Sequence, residues 1–90
     1  MPTITDNTAS SRFELEEDGA LAYAEYQLQS DLLIIPYVFS DPALRGKGTA
    51  GRLMDGVLAR AKEQGWKVRP ICGYAAAYIE RHAEYRDLRE

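Results

Sequence analysis

Cysteine and histidine are the scarcest chemistry-bearing residues of the sequence, which contains one of each, Cys72 and His82. A single cysteine cannot form a disulfide within one chain, so a disulfide framework is excluded. One cysteine and one histidine are also too few for a thiolate-rich or a histidine-rich metal site. We therefore expect no bound metal ion.

Long hydrophobic runs are also missing. The longest apolar run, residues 32–39, is interrupted by Pro36 and is far shorter than the ~20 residues that a membrane-spanning helix needs. Residues 1–11 are polar and lack both the basic start and the apolar core of a signal peptide. We expect a soluble, cytoplasmic protein that does not interact with membranes.

The length of 90 residues leaves room for one small domain. Hydrophobic residues make up 46% of the chain and charged residues 28%, which is typical of a globular protein rather than a disordered one. We expect a flexible N-terminus over residues 1–11 and a single domain over residues 12–90. We also expect a monomer or a weak dimer.

The formal net charge of −3 argues against nucleic acid as a partner. The charge is unevenly distributed, however, because residues 45–69 carry seven basic residues against two acidic ones. Such a segment can bind a small anionic ligand, but it is also typical of a solvated helix face. Charge alone does not decide between these interpretations.

Alternating polar and apolar residues predict three strands in the first half of the chain, over residues 12–16, 20–28 and 32–39. Asp18 and Gly19 form the first turn. The alanines of the second segment are also compatible with a helix, but its short length and flanking turns favour a strand. Pro36 lacks a backbone N–H, so it should lie at a bulge or where strand pairing stops.

The second half of the chain predicts a long amphipathic helix over residues 47–64 and a fourth strand over residues 66–72. A short alanine-rich helix over residues 75–82 and a polar tail follow. The order β-β-β-α-β-α indicates an α/β (α+β) fold with a mixed, mainly antiparallel four-stranded sheet. The strand–helix–strand passage implies one parallel pair.

The segment that carries chemistry is the loop before the long helix, residues 41–51. Gly46 and Gly48 allow a tight turn and a close approach of the backbone to a ligand. The first amides of a helix have no intrahelical partner, and they favour phosphate groups. Arg45, Lys47 and Arg52 would add positive charge.

Gly46, Gly48 and Gly51 also match the dinucleotide-binding pattern G-x-G-x-x-G. That fold needs an acidic residue about 20 positions further on, at the end of the next strand. Here that strand ends at Pro70, Ile71 and Cys72, so we reject a dinucleotide site. A P-loop is excluded because no Gly-Lys-Ser/Thr follows at the required spacing.

The loop resembles the acetyl-CoA-binding signature of the GNAT superfamily of N-acetyltransferases, R/Q-x-x-G-x-G/A. The run from Arg45 to Ala50 matches every specified position. The resemblance implies that backbone amides hold the pyrophosphate of CoA and that a bulged strand, at Phe39 and Ser40, pairs with the pantetheine arm. The implied amides belong to Arg45, Gly46, Lys47, Gly48, Thr49 and Ala50.

Residues 12–88 are similar to the minimal GNAT-like proteins of roughly 90 residues. The shared motifs here are Asp41-Pro-Ala-Leu-Arg-Gly-Lys-Gly48, Pro70-Ile-Cys-Gly-Tyr74 and Tyr78-Ile-Glu-Arg-His82-Ala-Glu-Tyr85. The chain departs from that pattern where Tyr37-Val38 replaces His-Thr, Thr49 replaces isoleucine and Ala83 replaces proline. We expect the last two changes to affect packing alone.

Cys72, Tyr78 and His82 are the catalytic candidates that the resemblance implies. Cys72 would lie near the thioester as an acyl-accepting nucleophile, with His82 as a possible base, and Tyr78 would protonate the departing CoA thiolate. Each also has an ordinary structural interpretation, as a core cysteine, a packing tyrosine and a surface histidine. Glu14 and Glu25 are possible substrate-side carboxylates, although a solvated sheet face explains them as well.

The sequence therefore indicates an N-acetyltransferase that binds acetyl-CoA and transfers the acetyl group to an unidentified amine, directly or through Cys72. A CoA-binding module without turnover is the main alternative. A small interaction domain whose basic helix contacts an acidic partner is a third hypothesis.

Overall fold

The computed structural model describes residues 4–90 and consists of one sheet with helices packed on it. The strands lie side by side in chain order, antiparallel except for the last pair. The mixed α/β fold with one parallel pair is confirmed, but the sheet has five strands rather than four. The elements are β1 (Thr5–Asn7), β2 (Arg12–Glu17), β3 (Ala20–Gln29), β4 (Leu32–Ser40), a 3-10 helix (Pro42–Leu44), α1 (Thr49–Gln64), β5 (Lys67–Pro70), α2 (Gly73–Arg81) and a second 3-10 helix (Ala83–Leu88).

The additional strand, β1, comes from a segment that the sequence predicts to be flexible. Thr5–Asn7 pairs with β2, and side-chain hydrogen bonds hold it there. The Tyr26 hydroxyl donates to Asp6 Oδ1 at 2.6 Å, and Asn7 Nδ2 donates to Glu14 Oε2 at 3.0 Å. Because polar side chains hold β1 in place, its sequence lacks the alternation of polar and apolar residues that predicts a strand. Residues 1–3 of the predicted flexible segment lie outside the described residues.

One side of the sheet, called here the helix face, carries the core. Both α-helices pack on this face, so over residues 4–90 the opposite side, called the open face, has no helical cover. The open face carries Arg12, Glu14, Glu16, Tyr23, Glu25, Tyr37 and Phe39. The core side chains of the sheet are Phe13, Leu15, Ala22, Ala24, Leu33, Ile35 and Val68, and those of the α-helices are Leu53, Met54, Val57, Leu58, Ala61, Ala75 and Ile79.

Strand β4 contains a bulge at Pro36, as its missing N–H predicts. The register with β3 changes between the pairs Gln27–Ile34 and Glu25–Tyr37, so β4 has one residue more than β3 at this point. The parallel pairing with β5 ends at Ile35 and Pro70. The bulge therefore lies at the point where β4 and β5 separate.

The remaining elements differ from the predictions mainly at their ends. Helix α1 begins at Thr49 instead of residue 47, and α2 spans Gly73–Arg81. Strand β5 is shorter than predicted, with four residues. The polar tail is folded, since the Tyr85 hydroxyl donates to Asp55 Oδ1 at 2.6 Å. In the described part of the chain, the helices are too short and too polar to cross a membrane.

Candidate functional site

The loop between β4 and α1 has a defined conformation that its own sequence produces. Asp41 Oδ1 accepts a hydrogen bond from the Ala43 N–H at 2.9 Å and caps the 3-10 helix. Leu44 is buried and anchors the loop to the core. Gly46 and Gly48 both have φ of +76°, a left-handed conformation that L side chains rarely adopt. The loop therefore reaches the start of α1 with its backbone exposed.

The N-terminus of α1 presents backbone amides that have no partner within the helix. Its cap residue is Gly48, which has no side chain to accept a hydrogen bond, and the first turn contains no acidic residue. The first intrahelical bond at this end runs from the Arg52 N–H to the Gly48 carbonyl at 3.1 Å. The amides of Thr49, Ala50 and Gly51 precede it and are left for a ligand or water. Together with the helix dipole, they favour an anion.

Arg52 is one of the three predicted cations of the site, and its guanidinium binds other groups of the protein. Its guanidinium donates to both carboxylate oxygens of Glu17, at 2.8 and 2.6 Å, and to the Lys47 carbonyl at 2.8 Å. The buried Thr49 hydroxyl donates to the same carboxylate at 2.7 Å. Thr49 therefore forms a hydrogen bond at the site, in addition to the packing role that the sequence predicts. The hydrogen bond from Arg52 has the largest effect and that from Thr49 the next, and together they lower the pKa of Glu17 from 4.5 to about 2.

Glu17 is a site residue that the sequence analysis missed. It follows Phe13 and Leu15 at alternate positions of β2, so its side chain lies on the helix face with the core residues. A carboxylate on the helix face needs a hydrogen-bond or ion-pair partner. The glutamate at this alternating position of β2 was therefore the sequence signal for a partly buried polar contact.

The two other cations differ in their freedom to bind a ligand. Lys47 Nζ lies 3.2 Å from Asp18 Oδ2, but both side chains are largely exposed, so the contribution of this pair is small. Arg45 is exposed, and among the described residues its side chain makes no hydrogen bond or ion pair. Arg45 is thus the basic side chain of the loop that is most available to an anion.

A gap opens between β4 and β5 beyond the bulge. The Ile35 carbonyl accepts the last bonds, from the N–H groups of Ile71 and Cys72 at 3.1 and 3.0 Å, while β4 continues to Ser40. Within residues 4–90, this gap leaves one edge of β4 without a partner strand beyond Ile35. An extended chain can pair with an edge of this kind through backbone hydrogen bonds.

The backbone groups that face this gap follow from the pairing of β4 with β3. The Asp41 N–H donates to the Leu21 carbonyl of β3 at 3.1 Å. Backbone N–H and C=O groups point to alternate edges of a strand at successive residues, so those of Phe39 also point towards β3, where Phe39 pairs with Tyr23. Those of Val38 and Ser40 face the gap. The open edge therefore presents Val38 together with Ser40, rather than the predicted Phe39.

Cys72 and His82 lie at opposite ends of α2. Cys72 is the N-cap residue, half-buried against the core, and His82 is the C-cap residue of this nine-residue helix. Ten residue steps at 1.5 Å each put the two about 15 Å apart along the helix axis. His82 stacks on Tyr78 with ring centroids 3.9 Å apart, and its Nδ1 donates to the Tyr78 carbonyl at 2.7 Å. His82 is therefore too far from Cys72 to act as its base.

Tyr78 lies beside the first turn of α1. A Cβ atom added to Gly51 would be 3.7 Å from Tyr78 Cε2 and 3.8 Å from the Tyr74 hydroxyl. Burial first, and then the nearby Asp55 carboxylate, raise the pKa of Tyr78 above its usual value of 10. Its phenol therefore keeps its proton at neutral pH and can donate it.

Comparisons with known proteins agree with this geometry. The family model described as GCN5-related N-acetyl-transferase matches residues 12–88. The solution NMR structure of a GCN5-like protein from Staphylococcus aureus superimposes with a TM-score of 0.75. The match covers 98% of this chain and 87% of that one at 23% sequence identity, so it shows a shared fold. No protein of curated function matches significantly.

Proposed function

Because the chain belongs to the GCN5-related N-acetyltransferase family, we propose that it binds acetyl-CoA at the start of α1 and transfers the acetyl group to an amine. The observation that carries the proposal is the N-terminus of α1, which has a glycine cap, no acidic residue in its first turn and the exposed Arg45 nearby. The pyrophosphate would accept hydrogen bonds from the amides of Gly46, Gly48, Thr49 and Ala50. The predicted amides of Arg45 and Lys47 already donate within the loop, to the Pro42 and Leu44 carbonyls, both at 3.2 Å. Arg45 would supply the charge-assisted contact.

The pantetheine arm fits the gap between β4 and β5. It is an extended chain with two amide groups, and the open edge of β4 offers the backbone groups of Val38 and Ser40. Hydrogen bonds to that edge would orient the arm along β4. The thioester would then lie near the bulge, beside Cys72.

In direct transfer, the neutral amine nitrogen attacks the thioester carbonyl and forms an amide. The carbon–sulfur bond breaks, CoA leaves as a thiolate, and the attacking nitrogen loses a proton to water. Tyr78 would donate its phenolic proton to the thiolate and recover one from solvent. A tyrosine phenol is protonated at neutral pH, so Tyr78 holds the proton that this step requires.

A second route passes through Cys72. Its thiol would lose a proton and attack the thioester, forming a cysteine thioester and releasing CoA as the thiol, and the amine would then take the acetyl group from sulfur. Cys72 is the N-cap residue of α2 and its side chain makes no capping hydrogen bond. The distance to His82 means that water or the amine must accept the proton.

Two measurements test the proposal. Calorimetry with acetyl-CoA should show binding, and thiol release should occur when amines are added. Absence of acetyl-CoA binding would overturn the proposal. Binding without thiol release across a broad amine panel would favour the CoA-binding module instead.

A further inference from the structure

The open face of the sheet is lined by aromatic side chains beside the bulge. The Tyr23 ring stacks on Phe39 with centroids 5.1 Å apart and meets Tyr37 edge-on at 6.3 Å. The Arg12 guanidinium lies 4.3 Å from the Tyr23 centroid, so this surface already holds one cation of the protein. Tyr37 is 47% exposed and available to a ligand.

Glu25 makes no ion pair among residues 4–90, although its partner residue in β2 is Arg12, whose guanidinium binds Glu14. On its other side Glu25 pairs across the strands with Tyr37, one residue beyond the bulge, so both side chains lie on the open face. Glu14 and Glu17 are each bound to an arginine. Over residues 4–90, the exposed Glu25 side chain has no hydrogen bond or ion pair.

A cleft of about 310 Å³ lies beside Glu25. It is formed where the β1–β2 turn approaches the bulge of β4. Its lining consists of Ser10, Ser11, Glu25, Tyr26, Gln27 and Pro36. The Glu25 carboxylate, the two serine hydroxyls and the Gln27 amide provide acceptors for N–H donors, whereas the proline ring provides an apolar wall. The cleft is at the small end of ligand sites, which range from about 300 to 1,000 Å³.

We propose that this cleft binds the ammonium group of a small aliphatic amine, with the Glu25 carboxylate as its counter-ion. An ammonium group has three donors, which match the carboxylate, the Gln27 amide oxygen and a serine hydroxyl. The carbon chain packs against Pro36. Aliphatic alcohols of the same length lack the charge and bind much more weakly.

The cleft also gives the acceptor class for acetyl transfer, a step that rests on the proposed function. Pro36 lines the cleft and is the first residue beyond the last β4–β5 pair, so the cleft adjoins the start of the gap. An amine bound beside Glu25 is therefore within a strand spacing of about 5 Å from β4. The acceptor is a primary aliphatic amine that carries positive charge in solution and passes its ammonium proton to water before the neutral nitrogen attacks the thioester.

The direct test is an NMR titration of the 15N-labelled protein with 1,5-diaminopentane, with 1,5-pentanediol as the neutral control of the same length. We expect the diamine, and not the diol, to shift the amide signals of Ser10, Ser11, Glu25 and Gln27. Glu25→Gln removes the charge and should weaken diamine binding at least about tenfold. Equal binding of the diol, or shifts that avoid these residues, would overturn the site.

Glu16→Gln is the matched control, because Glu16 is exposed on the same face and does not line the cleft. Diamine binding should change by less than about twofold in this variant, as surface substitutions are nearly neutral. An equal loss in both variants would show attraction to net charge alone and would overturn the assignment to Glu25.

The acceptor role is tested separately by enzyme kinetics. In Glu25→Gln, the KM for the diamine should rise at least about tenfold, while the calorimetric affinity for acetyl-CoA stays unchanged. A KM that does not change would overturn the acceptor role. Diamine binding in the cleft of a protein that never releases CoA would overturn acetyl transfer and leave the ammonium site standing.

Discussion

Arg52 and Glu17 join the first turn of α1 to the end of β2 through two parallel hydrogen bonds. The same guanidinium holds the Lys47 carbonyl, so one side chain fixes the loop, the helix and the strand relative to each other. Arg52 therefore stabilises the shape of the candidate acetyl-CoA site, and Arg45 remains to contact the phosphates.

The first prediction separates Arg45 from the general positive charge of its segment. Arg45→Ala should weaken acetyl-CoA binding by roughly tenfold or more, because a hydrogen bond to a charged group contributes about 1.5–3 kcal/mol. Lys62→Ala removes the same charge in the last turn of α1 and should have an effect below about twofold, since salt screens distant charges. Calorimetry measures both. Equal losses would show a general charge effect instead of a contact.

The second prediction concerns the acid stability of the Arg52–Glu17 pair. The pKa of Glu17 is lowered from 4.5 to about 2, so the pair stabilises the fold fully above pH 4.5, and this contribution disappears as the pH falls through about 2. Glu17→Gln removes this contribution at neutral pH. The Tm difference between the wild type and Glu17→Gln should therefore be larger at pH 7 than at pH 2.5.

Glu16→Gln serves as the control, because Glu16 neighbours Glu17 in β2 and has no ion pair among the described residues. Its Tm difference from the wild type should not vary with pH as that of Glu17→Gln does. A constant difference for Glu17→Gln would contradict the proposed pH dependence.

The third prediction uses two glycines with the same backbone conformation. Gly48 and Gly65 have φ of +76° and +77°, at the two ends of α1. Alanine at either position should cost about 1–2 kcal/mol of unfolding free energy. At Gly48 the new Cβ would also lie 3.1 Å from Arg52 Nη1, whereas at Gly65 no atom of the described residues lies within 4 Å.

Gly48→Ala should therefore weaken acetyl-CoA binding, and Gly65→Ala should lower stability while leaving the affinity intact. Urea unfolding and calorimetry on the same samples separate the two effects. If Gly65→Ala reduced the affinity as much as Gly48→Ala, helix stability rather than the loop backbone would control binding.

The sequence predicts those features that depend on a single residue's covalent structure, such as the bulge at Pro36 and the tight turn at Gly46 and Gly48. It does not predict which backbone groups face the gap. The extra residue of the bulge reverses the alternation in β4, so the groups of Val38 and Ser40 face outward instead of those of Phe39. Contacts between distant side chains, such as that of Thr49 with Glu17, also require the packed fold.

The fourth prediction concerns proton donation by Tyr78. Tyr78→Phe removes the hydroxyl and keeps the ring, so kcat for thiol release should fall at least about tenfold. The affinity for acetyl-CoA should stay unchanged. Tyr74→Phe is the matched control on the preceding turn of α2, and its kcat should remain near that of the wild type. Equal kcat values for the two variants would remove Tyr78 from the reaction.

The last prediction distinguishes direct transfer from transfer through Cys72. Acetyl exchange between two thiols is nearly balanced, so the covalent route should produce an acetylated protein when no amine is present. Intact-protein mass spectrometry after incubation with acetyl-CoA should then detect one adduct that hydroxylamine removes. Cys72→Ala should lose the adduct and keep its affinity for acetyl-CoA, because the proposed phosphate contacts are at the start of α1.

The amine assay decides how an absent adduct is interpreted. If the wild type acetylates an amine without forming the adduct and Cys72→Ala retains that activity, transfer is direct and Cys72 serves only in packing against the core. If Cys72→Ala loses amine acetylation together with the adduct, the covalent route carries the reaction. His82→Ala should leave adduct formation unchanged in either case, because His82 lies at the far end of α2 and stacks on Tyr78.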